Sequence, residues 1–437
     1  TPYHSAVYVI EGSVAGSVNI HPSSFYPGSP FDTFKAIEQF YTEGTLTIPR
    51  FYLYPTAMCN SRCSVCQFTA LDRFKGKTDE EKAIPYETVE KIIDEFYSMG
   101  SGLRTISAII SGDGEPTEHP DISRILDTLK EKRMRVFLTS NLRLPKDTDG
   151  HIMRSIVDDI SMMTVSIKGL NIDSYDRHQG TTGGVTFGKV LDNLERLVSG
   201  LEQSGRREEV LLGVGTLLLP ENAGSYTTMI DRFVQLGIDY VYINPVGPTY
   251  AKWGIMFTES QQRSIQAFLD SLSSIDCGRT VIRYPGTLAL DNPDNNVYYD
   301  ARNRRNIEVC GSALLNPTIV TTDTDGKAGA RILSCRSSQN FRNSNFWYVD
   351  GWIPAAAYGA ESTHHRELYG LLSERLQGVM NAASGCTDCR LERQVKTFDR
   401  VITLMKEHKF KGRFMLEFNV DELVPRGRAI TFEETNQ

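Results

Sequence analysis

The sequence of 437 residues lacks several features that define common classes of protein. It has no excess of positive charge, because 47 Lys and Arg stand against 54 Asp and Glu and the net charge is −7. A nucleic-acid-binding surface needs a basic surplus, so no nucleic-acid partner is expected. No apolar run is long enough to span a membrane, and the first thirty residues lack the basic start and apolar middle of a secretory signal. We therefore expect a cytoplasmic protein that binds no membrane and whose thiols stay reduced.

Cysteine is scarce and unevenly placed. The 210 residues from 67 to 276 contain none of the eight cysteines. Before this stretch, the segment CNSRCSVC holds Cys59, Cys63 and Cys66. The other five follow it: Cys277, Cys310, Cys335, Cys386 and Cys389. Three neighbouring cysteines are unusual, because a structural zinc takes four ligands and a disulfide takes two.

Between the two cysteine groups, apolar runs alternate with amphipathic segments. Six such pairs follow one another, from FYLYPTAM (51–58) to SQQRSIQAFLDSLSSI. Continuous apolar runs are typical of parallel strands that are covered by helices. The pattern predicts an α/β fold, a partial (β/α)6 TIM-type barrel over residues 49–285, with a doubly wound sheet as the alternative. Residues 1–48 are predicted to be an N-terminal extension that begins as an irregular leader rich in Gly, Ser and Pro.

Polar residues follow the predicted strands, where ligands bind in both of these folds. The turn SGDGEPTEHP (111–120) contains Gly112 and Gly114, which allow a ligand to approach the backbone closely. Further polar residues stand at the ends of later strands: Ser140, Asn141, Ser166, Lys168, Glu221 and Asn244. A glycine-rich turn is weak evidence by itself. Its position one βα unit after a three-cysteine loop makes it stronger.

These two motifs together resemble those of a known family. CNSRCSVC fits the CxxxCxxC pattern of the radical S-adenosylmethionine (SAM) enzymes, and GDGEP resembles their glycine-rich SAM-binding turn. The resemblance implies that Cys59, Cys63 and Cys66 ligate a [4Fe–4S] cluster and leave one iron open for SAM. It also implies a 5′-deoxyadenosyl radical that removes a substrate hydrogen, and a reductant such as flavodoxin or ferredoxin. A zinc site or an incidental cysteine cluster is the alternative.

The resemblance further implies a set of SAM contacts. Gly114 and Glu115 are expected at the methionine end, Ser140, Asn141 and Ser166 at the ribose and carboxylate, and Phe68 at the adenine. The sequence departs from the family pattern twice. Val65 stands where many members have an aromatic residue, and Asp113 precedes Gly114 where many have a second glycine. Both departures bear on the adenine and methionine contacts and leave the three cysteines untouched.

The later cysteines predict a second unit over residues 286–437. The layout of Cys310, Cys335, Cys386 and Cys389, with a predicted hairpin turn at DTDGK, resembles a twitch/SPASM-like α+β auxiliary domain. The spacing is similar to that of the 2-deoxy-scyllo-inosamine dehydrogenases of aminoglycoside pathways. This resemblance implies a second, auxiliary [4Fe–4S] cluster, and a four-cysteine zinc site is the alternative.

A radical-forming domain combined with an auxiliary cluster favours oxidation of a carbohydrate or aminocyclitol in antibiotic biosynthesis. Radical dehydration or epimerisation, peptide modification, and a non-enzymatic iron–sulfur carrier stay as alternatives. Oxidation of an alcohol needs a base, for which Lys168 and Glu221 are the candidates. Cys277 is either a hydrogen-atom donor or a small buried residue near the junction of the two domains.

Overall fold

The computed structural model describes residues 4–10, 13–20, 30–66, 76, 78–112, 114–180, 185–244, 246, 254–272, 277–278, 280–283, 318–324, 327–333, 352–354, 401–409, 411 and 413–417. The first elements are β1 (His4–Ile10), β2 (Ser13–Ile20), α1 (Pro30–Glu43), β3 (Arg50–Tyr54), α2 (Tyr86–Met99), β4 (Ser107–Ile110), α3 (Ile122–Glu131), β5 (Arg135–Ser140), α4 (His151–Asp159) and β6 (Met162–Ser166). They are followed by α5 (Ile172–His178), α6 (Phe187–Gln203), β7 (Leu211–Leu217), α7 (Tyr226–Gln235), β8 (Tyr240–Asn244), α8 (Glu259–Ser271), β9 (Val281–Arg283), β10 (Thr318–Thr324), β11 (Lys327–Leu333), β12 (Trp352–Pro354) and β13 (Arg413–Glu417).

The main sheet contains seven parallel strands in the order in which they occur along the chain, from β3 to β9. A doubly wound sheet would reverse this order at a switch point, and no reversal occurs from β3 to β9. The predicted partial TIM-type α/β fold is therefore confirmed, with β9 as an additional strand. Strand β10 pairs parallel with β3, and β11 and β12 then extend the sheet with antiparallel pairs.

The strands are buried on both faces because they are apolar throughout. Every residue of β3 and of β4 is buried. Phe51 packs toward the helices, where its ring stacks on Phe96 with centroids 4.7 Å apart. Tyr52 and Tyr54 belong to a separate cluster on the opposite face, which also contains Phe137. Burial of each large side chain contributes about 1.5–3 kcal/mol, so the alternation fixes which face of the sheet meets the helices.

The helices that cover the sheet follow the apolar periodicity of the sequence. In α2 the positions Val89, Ile92, Ile93 and Phe96 are all fully buried, as predicted. None of the helices in the described ranges is both long and apolar enough to cross a membrane.

The prediction of an irregular N-terminal leader is wrong. Strands β1 and β2 form an antiparallel hairpin, and β13 pairs with β1 to complete a three-stranded sheet. The apolar residues alternate along SVAGSVNI as a strand requires, but the interspersed Gly and Ser obscure the pattern. The hairpin predicted at DTDGK is confirmed by the antiparallel pairing of β10 with β11, in which Thr324 lies opposite Lys327.

Candidate functional site

The loop that follows β3, residues 55–66, carries Cys59, Cys63 and Cys66 as free cysteines and is called the cysteine loop below. Its start is fixed by Thr56, whose hydroxyl donates to the carbonyl of Lys82 at 2.9 Å and accepts from the backbone N–H of Met58 at 3.0 Å. The three cysteines therefore lie at the C-terminal end of the first parallel strand, as the fold predicts.

The glycine-rich turn after β4 packs directly on the cysteine loop. Gly112 has a φ of +154°, which L side chains rarely adopt. A Cβ at Gly114 would lie 2.2 Å from the carbonyl oxygen of Met58. The neighbouring N–H of Glu115 donates to this same oxygen at 2.7 Å. Position 114 must be glycine because the two backbones touch there.

The carboxylate of Glu115 is buried, with 4% of the residue exposed. Its Oε1 accepts from the N–H and hydroxyl of Thr117 at 3.2 and 2.8 Å, and its Oε2 accepts from the N–H of Asn141 at 2.7 Å. Burial raises the pKa of Glu115, and the hydrogen bonds from Asn141, Ser140 and Thr117 act in the opposite direction. Glu115 therefore ties the turn after β4 to the turn after β5.

Asn141 and Ser140 are also buried and bonded within the protein. The Asn141 amide Nδ2 donates to Oδ1 of Asn60 at 2.8 Å and to the hydroxyl of Ser61 at 3.1 Å. The Ser140 hydroxyl accepts from the N–H of Leu142 at 2.9 Å. The turn after β5 thus holds the middle of the cysteine loop. The predicted roles of Ser140, Asn141 and Glu115 as direct SAM ligands stay predictions.

Arg143, which the sequence patterns did not single out, lies under the cysteine loop and is 1% exposed. Its Nη1 donates to the carbonyl of Asn60 at 2.6 Å, to the Ser61 hydroxyl at 3.1 Å and to the carbonyl of Gly180 at 2.8 Å. Its Nη2 donates to the carbonyl of Val185 at 3.2 Å. One guanidinium thus joins the cysteine loop to the segment after α5.

Gln179 links the end of β6 to the cysteine loop. Its side chain accepts from the N–H of Lys168 at 2.9 Å and donates to the carbonyl of Ser166 at 3.0 Å. Its carbonyl accepts from the N–H of Arg62 at 3.1 Å. Ser166 is half-buried, and its hydroxyl has no hydrogen-bond partner within the described ranges. Of the three polar residues predicted for the ribose and carboxylate of SAM, only Ser166 therefore has a free hydroxyl or amide there.

A hydrogen-bonded chain joins the cysteine loop to the end of β7. The Ser64 hydroxyl lies 2.9 Å from Nδ1 of His178, and Nε2 of His178 lies 3.0 Å from Oε2 of Glu221. Arg177 donates to the other oxygen of Glu221 at 2.8 Å. Burial raises the pKa of Glu221, but the hydrogen bonds and charges of His178 and Arg177 outweigh this effect and lower it. Glu221, predicted as a base, is therefore held as an ionised partner of these two residues.

The three thiols suit a cluster with three protein ligands. Burial raises the pKa of Cys59 to about 12, with a smaller contribution from the charge of Glu115. Burial raises the pKa of Cys63 to about 11 against the charges of Lys168 and Arg143, which lower it. Cys63 and Cys66 also contribute to the shift of Cys59, so the three sulfur atoms lie near one another. An incoming metal must displace the thiol protons.

Three thiols on one short loop are the donor set of a [4Fe–4S] cluster with one open iron, and a structural zinc would need a fourth ligand. Within the described ranges, no group of three or more His, Cys, Asp and Glu side chains is arranged to hold a metal ion. Ligation by Cys59, Cys63 and Cys66 thus rests on the type and placement of the donors and stays a prediction.

Several predicted residues lie outside the described ranges: Phe68, Cys310, Cys335, Cys386 and Cys389. Cys277 is half-buried ahead of β9, and its carbonyl accepts from the N–H of Thr280 at 2.9 Å. Its predicted role as a hydrogen-atom donor is untested by these contacts.

Comparison with known proteins agrees with this arrangement. Residues 53–202 match the profile of the radical SAM superfamily, whereas no curated protein matches the sequence. Streptococcus suis SuiB bound to S-adenosylmethionine has a similar fold, with 14% identity and a TM-score of 0.50 over 81% of this chain and 75% of that chain. The same protein bound to precursor peptide SuiA gives 15% identity and a TM-score of 0.47 over 78% and 73%. The anSMEcpe structure with bound AdoMet gives 13% and 0.47 over 79% and 87%. Residues 53–202 therefore form a radical SAM domain.

Proposed function

We propose that the chain is a radical SAM enzyme that holds a [4Fe–4S] cluster through Cys59, Cys63 and Cys66 and binds SAM at the open iron. One observation carries the proposal: the glycine-rich turn contacts the backbone of the three-cysteine loop at Gly114 and leaves no room there for a side chain. When bound, the cluster supplies the electron that cleaves SAM to methionine and a 5′-deoxyadenosyl radical.

The residues of this chain position the two binding elements against each other. Glu115 and Asn141 join the turns after β4 and β5, and Asn141 also holds Asn60 and Ser61 of the cysteine loop. These buried bonds occupy the polar atoms of both side chains, which favours a positioning role for them. Ser166 stands half-buried at the end of β6, so we propose its hydroxyl as the SAM ribose or carboxylate contact.

For the reaction, we propose hydrogen abstraction from a carbohydrate or aminocyclitol, followed by oxidation in an antibiotic pathway. The support is the spacing of Cys310, Cys335, Cys386 and Cys389, which suits a twitch/SPASM-like domain with an auxiliary cluster that accepts the second electron. Glu221 is ionised and paired, so as a base it would have to leave Arg177 or His178. Lys168 has no carboxylate partner within the described ranges, and a role as base requires that it lose its proton.

The first experiment tests the open iron. Anaerobically reconstituted protein is reduced with dithionite in the presence of SAM, and 5′-deoxyadenosine is measured by mass spectrometry. We expect the wild type to form it and the triple variant Cys59→Ala, Cys63→Ala, Cys66→Ala to form none. The Cys277→Ala variant is the matched control, because a hydrogen-atom donor acts after SAM cleavage. Formation of 5′-deoxyadenosine by the triple variant would contradict the proposal.

The second experiment tests the reaction type. With two cubes the protein should bind about eight irons, and Cys386→Ala, Cys389→Ala should bind about half of that while still cleaving SAM. If the second cluster accepts an electron, this variant should abstract hydrogen from the substrate but release no oxidised product. Candidate aminoglycoside sugars are the substrates to assay. Full product formation by the variant would favour dehydration or epimerisation, and zinc at this site would exclude the electron-acceptor role.

A further inference from the structure

The cysteine loop rests on a buried positive charge. Arg143 donates from a single nitrogen to the carbonyl of Asn60 and the hydroxyl of Ser61, which lie between Cys59 and Cys63. The four acceptors of its printed geometry are carbonyl and hydroxyl oxygens, and these carry no net charge. Because the residue is only 1% exposed, water screens this guanidinium little.

A second cation approaches the same loop from β6. The backbone of Lys168 is bonded to the side chain of Gln179 at 2.9 Å, and the carbonyl of Gln179 accepts from the N–H of Arg62 at 3.1 Å. Lys168 is therefore connected through a single residue to Arg62, which immediately precedes Cys63. The charges of both Lys168 and Arg143 act on the Cys63 thiol in the direction that favours its anionic form.

Reduction adds a negative charge to an iron–sulfur cluster, and nearby fixed charge sets the potential at which this happens. A cation stabilises the more negative, reduced form, and it does so most strongly where the surroundings exclude water. We propose that Arg143 and Lys168 are positioning residues that place two positive charges beside Cys63 and raise the reduction potential of the cluster on the cysteine loop. This inference rests on the proposed function, since it concerns the same cluster.

The test measures the potential itself, which a merely structural role would leave unchanged. Reconstituted wild type, Lys168→Met, Lys168→Arg, Arg143→Met and Arg143→Lys are titrated with reductant, and the reduced cluster is followed by electron paramagnetic resonance. The signal that changes when SAM is added identifies the cluster with the open iron. For Lys168→Met and Arg143→Met, we expect the ratio of reduced to oxidised cluster at a fixed potential to fall about tenfold, which is a midpoint about 59 mV lower. The charge-retaining Lys168→Arg and Arg143→Lys should stay near the wild type.

The Lys168 pair decides the outcome if Arg143→Met does not fold, because no side-chain hydrogen bond of Lys168 holds the loop within the described ranges. A midpoint in Lys168→Met equal to that of the wild type, with full iron content, would overturn the inference. So would an equal fall in Lys168→Met and Lys168→Arg, because charge would then not be the cause. A wild type that binds iron and cleaves SAM while the variants keep its potential defeats this inference alone. A wild type that binds no [4Fe–4S] cluster defeats the proposed function and this inference with it.

Discussion

Gly114 touches Met58 so closely that a Cβ at position 114 would lie 2.2 Å from the Met58 carbonyl oxygen and 2.7 Å from the carbonyl carbon of Ala57. The listed neighbours are backbone atoms, which cannot rotate away as a side chain can. The contact therefore fixes the spacing between the glycine-rich turn and the cysteine loop.

We expect Gly114→Ala to push the two backbones apart and to destabilise the protein by about 1–3 kcal/mol, the usual cost of overpacking. Denaturant unfolding and the iron content after reconstitution measure the two effects. Gly188→Ala is the matched control, because the same added methyl group meets nothing closer than 3.9 Å on the exposed face of α6. If Gly114→Ala unfolds and binds iron as the control does, the contact does not fix the site.

A buried ion pair holds the start of two neighbouring strands. Oδ2 of Asp239 accepts from Nη1 of Arg207 at 3.0 Å and from the N–H of Leu212 at 2.8 Å. Asp239→Ala leaves the Arg207 charge buried without this carboxylate, so we expect a loss of about 3–5 kcal/mol in the free energy of unfolding. Removal of the exposed pair on α8 by Glu259→Ala should cost no more than about 1 kcal/mol. Equal losses in the two variants would contradict the reasoning from burial.

His119 predicts a pH dependence of stability. Its Nε2 lies 2.8 Å from the carbonyl of Ile84, which can only accept, and its Nδ1 accepts from the N–H of Asp121 at 3.1 Å. The ring is thus neutral, and burial lowers its pKa from the ordinary value of 6.5. Below that value the unfolded chain binds the proton more readily than the folded protein does, so the contribution of His119 to stability is lost as the pH falls.

The check compares the wild type with His119→Gln, whose amide can still donate to Ile84. From about pH 7.5 down to about pH 5.5, the free energy of unfolding of the wild type should fall more steeply than that of the variant. Parallel pH profiles would mean that the His119 pKa is the same in the folded and unfolded states.

The order of the elements was predictable because each βα unit has its own apolar pattern. The helix predicted at FGKVLDNLERLVSGLEQ occurs at the same residues as α6. Short elements were missed: α5 has seven residues, too few to show a clear period, although Asn171 caps it through the N–H of Ser174. The missed hairpin of β1 and β2 depends partly on β13, which lies about four hundred residues further along the chain.

The site was predictable where a motif is local and unpredictable where distant residues meet. CNSRCSVC and GDGEP lie close together in sequence, and their contact at Gly114 follows from neighbouring parallel strands. The hydrogen bonds from Arg143 to the cysteine loop and to Gly180 join residues separated by 83 and 37 positions, and no periodicity links them. Glu221 was identified as polar at a strand end, but its pairing with His178 decides its charge, and that pairing is not visible in the sequence.

The last prediction concerns His178, which joins Ser64 of the cysteine loop to Glu221. An ionised carboxylate can only accept, so Nε2 of His178 carries the proton toward Glu221, and a neutral ring then accepts the Ser64 hydroxyl proton at Nδ1. His178→Ala removes both bonds inside the protein, because the His178 side chain is 6% exposed. We expect a loss of about 1–3 kcal/mol in the free energy of unfolding and faster release of iron to a chelator.

Arg177→Ala is the matched control, since Arg177 binds the other oxygen of the same carboxylate from a side chain that is 64% exposed. An exposed ion pair contributes at most about 1 kcal/mol, and Arg177 has no bond to the cysteine loop within the described ranges. The control should therefore keep the iron-release rate of the wild type and nearly all of its stability. If both variants released iron at the same rate, the effect would come from Glu221 and not from the bond between His178 and Ser64. If neither variant changed the rate, the hydrogen-bonded chain would have no part in holding the cysteine loop around its cluster.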